Sequence, residues 1–220
     1  MSLVFPAPAP VTLPVAGGGS YPVHRIYCVG RNYAEHAQEM GFSGREPPFF
    51  FMKPNDALVP VAEGETGRIA YPSLTANLHH EVELVVALGP GARIFGYALG
   101  LDMTRRDLQG EMKKQGRPWE IGKAFEQSAP IGPIVPIGST GELNAGAITL
   151  DVNGQRRQTG DLKDLIWNVA ETLEKLAEAW TLQAGDLIFT GTPAGVGAVA
   201  RGDVMEAHIA GLPALKVRVA

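Results

Sequence analysis

At 220 residues and 23.4 kDa the chain can bury one good core, and 45% hydrophobic with 19% charged residues is the balance of an ordinary globule. The formal net charge of -4 leaves no basic footprint for nucleic acid. A lone cysteine, Cys28, excludes an internal disulfide, no charged-then-apolar leader opens the chain, and no apolar run approaches membrane-spanning length. These features exclude nucleic acid and membrane as partners and make the cytoplasm the expected location.

Residues 1–22 are rich in proline, alanine and glycine, as in Phe5-Pro6-Ala7-Pro8-Ala9-Pro10 and Gly17-Gly18-Gly19. Such a stretch cannot hold a helix or an interior strand and predicts an extended N-terminal arm, leaving 23–220 as a single domain. Glycine and proline, 27 and 17 in number, then punctuate short apolar segments. Strands are predicted over Val23–Val29, Pro48–Met52, Glu81–Leu88, Tyr97–Asp102, Ile148–Val152, Asp186–Thr190 and Ala214–Val219. Cys28 falls inside the first of these, where it reads as a small core hydrophobe rather than a reactive thiolate. Asn153-Gly154 tolerates positive φ at both positions and predicts a type I′ hairpin. Short helices are predicted over Tyr33–Met40 and Arg105–Gln115. One long helix is predicted where Leu162, Leu165, Ile166, Val169, Leu173, Leu176, Ala177 and Trp180 recur at intervals of three and four. The fold class is mixed α/β, predominantly β.

The chemistry gathers around Glu81 and Glu83, one residue apart in Leu78-His79-His80-Glu81-Val82-Glu83-Leu84-Val85-Val86. Alternation along a strand sends both carboxylates to one face and Val82, Leu84 and Val86 to the other. Like charges held so close repel unless a cation lies between them. Asp102 ends a second apolar strand, and three oxygen ligands without a thiolate describe a hard-cation site for Mg²⁺ or Mn²⁺. The bland alternative is the wet face of a half-buried sheet. A zinc site on His79 and His80 lacks a third nitrogen or sulfur ligand, so these histidines read as supporting or packing residues.

Other groups bear on the same chemistry. His36 and Glu39, three apart on one helix face, form the pair needed to take a proton from water. Gly30 and Gly41 bound that segment and suggest a lid, although such pairs are commonly surface salt bridges. Lys123, framed by apolar neighbours, is either a snorkelling side chain or an anchor for an oxyanion. Thr190-Gly191-Thr192-Pro193-Ala194-Gly195-Val196-Gly197 looks like a phosphate loop but lacks the Gly-Lys-Ser/Thr ending and a following helix. No Gly-x-Ser-x-Gly elbow supports a serine nucleophile.

Six ordered blocks together resemble the fumarylacetoacetate hydrolase superfamily from about Val23 to the C-terminus. They are Cys28-Val29-Gly30-Arg31-Asn32-Tyr33, His36-Ala37-Gln38-Glu39-Met40, Phe51-Met52-Lys53-Pro54, Asn77-Leu78-His79-His80-Glu81-Val82-Glu83, Gly96-Tyr97-Ala98-Leu99-Gly100-Leu101-Asp102-Met103-Thr104, and the Thr190–Gly197 run. Pro47-Pro48-Phe49-Phe50-Phe51 and Arg105-Arg106-Asp107-Leu108-Gln109 resemble the fumarylpyruvate hydrolase and acylpyruvase branch of that superfamily. The resemblance implies a β-roll with a few short helices and one long helix, a homodimer, and a single catalytic domain over 23–220. It also implies hydrolysis of the C–C bond of a small 2,4-diketo acid, foremost fumarylpyruvate in gentisate-type aromatic catabolism. By the same resemblance the metal, Mg²⁺ or Mn²⁺, rests on Glu81, Glu83 and Asp102, and catalysis on His36, Glu39 and Lys123. Arg106, Gln109, Thr192 and Arg31 hold the substrate, with Lys53 or Arg45 as alternatives to Arg31 for a second carboxylate at its far end. The chain departs from the pattern at Pro90–Phe95, where a short connection replaces a helical insertion. Two rivals stand beside this reading: an oxaloacetate decarboxylase or tautomerase on the same site, which needs no water-activating pair, and a structural protein that only binds a cation.

Overall fold

The computed structural model describes residues 3–33 and 45–220. Their centre is a sheet whose strands run, in spatial order, Phe49–Lys53, Ile26–Gly30, Leu187–Phe189, Val82–Leu88, Ile94–Leu101, Ala129–Ile131 and Leu58–Pro60, with Val135–Pro136 pairing outside that path. Leu187–Phe189 lies parallel to Ile26–Gly30, whereas Val82–Leu88 and Ile94–Leu101 are antiparallel neighbours. A second, five-stranded sheet is ordered Gln155–Asp161, Ala147–Val152, Val204–Ile209, Leu215–Val219 and Thr66–Ile69. A small third sheet joins Thr104–Arg105, Leu78–His80 and Gly197–Val199. The expected β-rich mixed fold is what the chain adopts.

Both faces of the central sheet are buried, which is why its strands read as continuous apolar runs. Val82, Leu84 and Val86 join Tyr97, Leu99, Leu150 and Val217 in the larger core, while Val85, Ala87, Ala98, Cys28 and Phe189 pack into a smaller one on the opposite face. Glu81 and Glu83 share the parity of Val85 and Ala87. The alternation inferred from sequence therefore puts the carboxylates opposite the main core. Cys28 is fully buried, and burial pushes its thiol well above the ordinary range, as a packing role requires.

Several expectations change in detail. The Glu81 strand is broken: Leu78–His80 and Val82–Leu88 are separate, with Glu81 in the break. The long helix is confined to Val169–Ala179, preceded by a 3₁₀ turn at Leu162–Asp164. The intervening residues are captured by Asn32, whose carbonyl accepts from Ile166 N and whose side chain exchanges hydrogen bonds with the Trp167 backbone. Asn168 then starts the helix afresh through a capping box with Glu171. The arm is not wholly extended, because Thr12–Pro14 and Ser20–Pro22 pair as a hairpin. Leu13 and Tyr21 anchor it in the smaller core, and the Tyr21 hydroxyl donates to Leu88 O at 2.7 Å. The predicted Tyr33–Met40 helix lies, except for Tyr33, outside the described residues; Tyr33 itself bridges to Leu165. The predicted Arg105–Gln115 helix occupies Arg106–Gln115, and Asn153-Gly154 turns its hairpin with φ of 52° and 75°. Pro90–Ala92 is a single 3₁₀ turn, with Gly91 and Ala92 at positive φ letting two adjacent strands close tightly.

Candidate metal centre and cleft

Glu81, Glu83 and Asp102 meet where the paired strands Val82–Leu88 and Ile94–Leu101 end, held in register by the hydrogen bond from Asp102 N to Glu81 O at 2.8 Å. Each offers a carboxylate oxygen within 4.8 Å of the others, and all three residues are buried. The exposed-sheet alternative fails on that burial.

Cations from three other elements surround the carboxylates. Lys123, ending the short helix Glu120–Lys123, donates to Glu81 Oε2 at 2.8 Å, Asp102 Oδ2 at 2.7 Å and Thr104 Oγ1 at 2.7 Å. Burial opposes its charge, but Asp102 and Glu81 outweigh that effect and hold the ammonium above its ordinary range. All three of its donors are thereby engaged, so here it acts as a counter-ion rather than as a free oxyanion donor. Arg106, at the start of helix Arg106–Gln115, pairs with Glu81 Oε1 and donates to Gln109 Oε1 at 2.6 Å, one turn along the same helix. His79 Nδ1 accepts from Arg106 Nε at 3.3 Å, and burial, with Arg106 beside it, lowers the imidazole to about 4. His79 is thus a neutral prop for the guanidinium, as its supporting reading implied.

Glu83 is the exception. Its Oε2 accepts from Gly191 N at 2.8 Å, yet no described lysine or arginine forms an ion pair with it. Burial, with Asp102 and Glu81 beside it, pushes its carboxyl well above the ordinary range. Asp102 Oδ1, by contrast, has the Lys53 ammonium 2.9 Å away. Three buried carboxylates, one of them without a described ion-pair partner, form an all-oxygen donor set that could hold a hard divalent cation.

The triad opens into a narrow cleft that brings Arg31, Arg106, Gln109, Lys123 and Thr192 together, with Phe51 and Trp119 also lining it. All the sequence-derived site residues that are described line this one cavity. His36 and Glu39 lie outside the described residues. Arg31 adopts φ of 58° and stacks its guanidinium 4.7 Å from the Phe49 ring centre. The conformation is uncommon for a residue with a side chain, and it occurs in a residue that lines the cleft. Arg45, another basic residue near the N-terminal third, pairs instead with Glu171.

Sequence reasoning missed Thr104 and Ser128 as parts of the site and misassigned Lys53, which is buried against Asp102 and cannot serve the far substrate carboxylate. Lys53 is fully buried and donates to Met103 O, Lys123 O and Ser128 Oγ, with its ammonium 2.9 Å from Asp102 Oδ1. Its place inside the Phe51-Met52-Lys53-Pro54 block was the available signal, because a lysine in an otherwise apolar strand needs a buried partner.

Known proteins resemble this chain over most of its length. The family model described as fumarylacetoacetate (FAA) hydrolase C-terminal matches residues 25–220. A fumarylpyruvate hydrolase from Ralstonia sp is 45% identical over 184 residues, 79% of this chain and 93% of the relative. The oxaloacetate tautomerase YcgM of Escherichia coli (strain K12) is 41% identical over 194 residues, 83% of this chain and 87% of the relative. A crystal structure of a Pseudomonas aeruginosa fumarylpyruvate hydrolase in complex with Mn²⁺ and pyruvate superposes with a TM-score of 0.97 at 55% identity, covering 100% of this chain and 99% of that one.

Proposed function

The chain belongs to the fumarylacetoacetate hydrolase family, and from that premise we propose that it hydrolyses the C–C bond of an acylpyruvate with a divalent cation, preferring fumarylpyruvate and releasing fumarate and pyruvate. The observation that carries the reading is the convergence of three buried carboxylates, within 4.8 Å of one another, on a cleft that also holds Arg106 and Gln109. Such a site suits a 2-oxo carboxylate, because its carboxylates would hold a cation for chelation and Arg106 and Gln109 offer planar donors for the carboxylate oxygens. Mn²⁺ and pyruvate in the Pseudomonas aeruginosa relative support the same assignment.

A bound Mg²⁺ or Mn²⁺ supplies Lewis-acid charge to the oxygens of the 2-oxo acid. The chain's own groups supply the rest. Arg106 and Gln109, locked to each other, orient the carboxylate end, and Lys123 balances the charge of Glu81 and Asp102 so that the cluster tolerates an anionic substrate. His36, oriented by Glu39, takes a proton from water as the water oxygen adds to the acyl carbonyl. The bond between that carbon and the methylene then breaks, and the methylene carbon gains a proton to become the methyl group of pyruvate. Arg31, which lines the cleft, meets the second carboxylate of a fumaryl group.

A second reading is favoured by the oxaloacetate tautomerase relative: proton transfer on oxaloacetate at the same carboxylates, with no water added. The experiment that separates the two supplies Mg²⁺ with fumarylpyruvate, acetylpyruvate and oxaloacetate in parallel and follows both enol absorbance and released pyruvate. Pyruvate formed stoichiometrically from fumarylpyruvate supports hydrolysis. Enol loss on oxaloacetate alone, without pyruvate from either acylpyruvate, overturns it. The reading carries a homodimer as the working assembly, testable by light scattering.

A further inference from the structure

The Thr190–Gly197 run resembles a phosphate loop, yet its glycines serve a different contact. Gly195 lies against the backbone of Arg157, where a Cβ would overlap the carbonyl oxygen, and Gly160 faces Pro193 so closely that a Cβ would overlap its ring. The run is therefore seated on strand Gln155–Asp161 of the five-stranded sheet. At that point the pairing of this strand with Ala147–Val152 slips: Leu150 faces Gln158, but Asp151 faces Arg156. Arg157 is the extra residue of a bulge, and bulges re-aim side chains. Here the bulge turns Gln158 inward, fully buried between exposed Arg157 and exposed Thr159.

The amide of Gln158 is completely satisfied. Its Nε2 donates to Thr192 Oγ1 at 2.8 Å and Pro193 O at 2.9 Å, while its Oε1 accepts from Val82 N at 3.1 Å and lies 2.9 Å from His80 Nδ1. Pro193 O can only accept and Val82 N can only donate, so the orientation of the amide is fixed by backbone groups. Thr192 Oγ1 in turn donates to Val82 O at 2.8 Å. Val82 is the residue between the two glutamates, on the strand edge that lies beyond the reach of Leu187–Phe189, whose pairing begins at Val85. Two side chains thus satisfy the backbone N–H and C=O that a neighbouring strand would otherwise hold.

We propose that Gln158, acting with Thr192, is a positioning residue of the metal centre, fixing the peptide planes on either side of Val82 so that Glu81 and Glu83 present their carboxylates to one ion. Gly191 N, on the same clamped run, holds Glu83 Oε2. The inference rests on the reading of Glu81, Glu83 and Asp102 as cation ligands. Supporting shells of this kind typically govern affinity by about 10- to 100-fold.

The test measures Mn²⁺ binding by electron paramagnetic resonance on the intact protein, beside kcat, KM and melting temperature, for Gln158→Met, Thr192→Val and the double variant. The expected result is Mn²⁺ affinity weakened about tenfold or more in each single variant. The double variant should be weakened by less than the product of the two factors, because both act through Val82. Unchanged Mn²⁺ affinity in Gln158→Met, with only a lowered melting temperature, overturns the inference, as do strictly multiplicative losses. Should Gln158→Met not fold, Thr192→Ser against Thr192→Val decides it: serine keeps the hydroxyl and should keep wild-type affinity, and equal loss in both overturns the clamp. A wild-type protein that takes up no Mn²⁺ overturns the cation reading itself, a result distinct from tight wild-type binding left untouched in the variants.

Discussion

Lys53 lies 2.9 Å from Asp102 Oδ1 and also donates to Met103 O, Lys123 O and Ser128 Oγ. This buried ammonium compensates the charge of Asp102. Lys53→Met should remove this compensation from a buried ion pair and destabilise the metal-free protein by about 3–5 kcal/mol. Added Mn²⁺ should then raise the melting temperature more in the variant than in the wild type, because the ion replaces a missing positive charge. Thermal melts with and without Mn²⁺ check this, and equal shifts in the two proteins contradict it.

Chelation should abolish turnover, and either Mg²⁺ or Mn²⁺ should restore it, since all three ligands are oxygens. Glu81→Ala and Asp102→Ala should lose Mn²⁺ binding together with activity. Calorimetric titration of Mn²⁺ beside a turnover assay makes the comparison, and full activity after exhaustive chelation would refute the assignment.

His36→Ala should lower hydrolysis by about 10²-fold or more, the usual contribution of a positioned general base, with Mn²⁺ affinity intact. Oxaloacetate tautomerisation, which adds no water, should survive the same change. An unchanged hydrolytic rate would return His36 to an ordinary surface ion pair.

Of the three basic residues weighed for a second substrate carboxylate, Arg31 lines the cleft, Arg45 does not, and Lys53 is buried against Asp102. A charge-assisted hydrogen bond there is worth about 1.5–3 kcal/mol, or roughly ten- to a hundred-fold in kcat/KM for fumarylpyruvate over acetylpyruvate. Arg31→Met should erase most of that preference while leaving acetylpyruvate turnover near its wild-type value. Equal kcat/KM for the two substrates in the wild type would assign a general acylpyruvase instead.

What was legible in the sequence follows from interactions between near neighbours. Strand alternation put Glu81 and Glu83 on one face and Val82, Leu84 and Val86 on the other, an apolar run carried Cys28 into the core, and Asn153-Gly154 specified its own turn. Asp102 as the end of a strand, and the helix that carries Arg106 and Gln109, were visible for the same reason. Tertiary structure alone decided which charges meet. Lys123 reaches Glu81 across 42 positions, and Asn32 reaches across 135 to hold Trp167 and so cut the long apolar helix pattern to Val169–Ala179. Gln158 belongs to the same class: a slip of one residue in another sheet turns it toward the glutamates. Periodicity in a sequence reports which face a side chain takes, but the partner it finds there depends on how distant segments pack, and a buried charge is tolerated only where that packing supplies its counterpart.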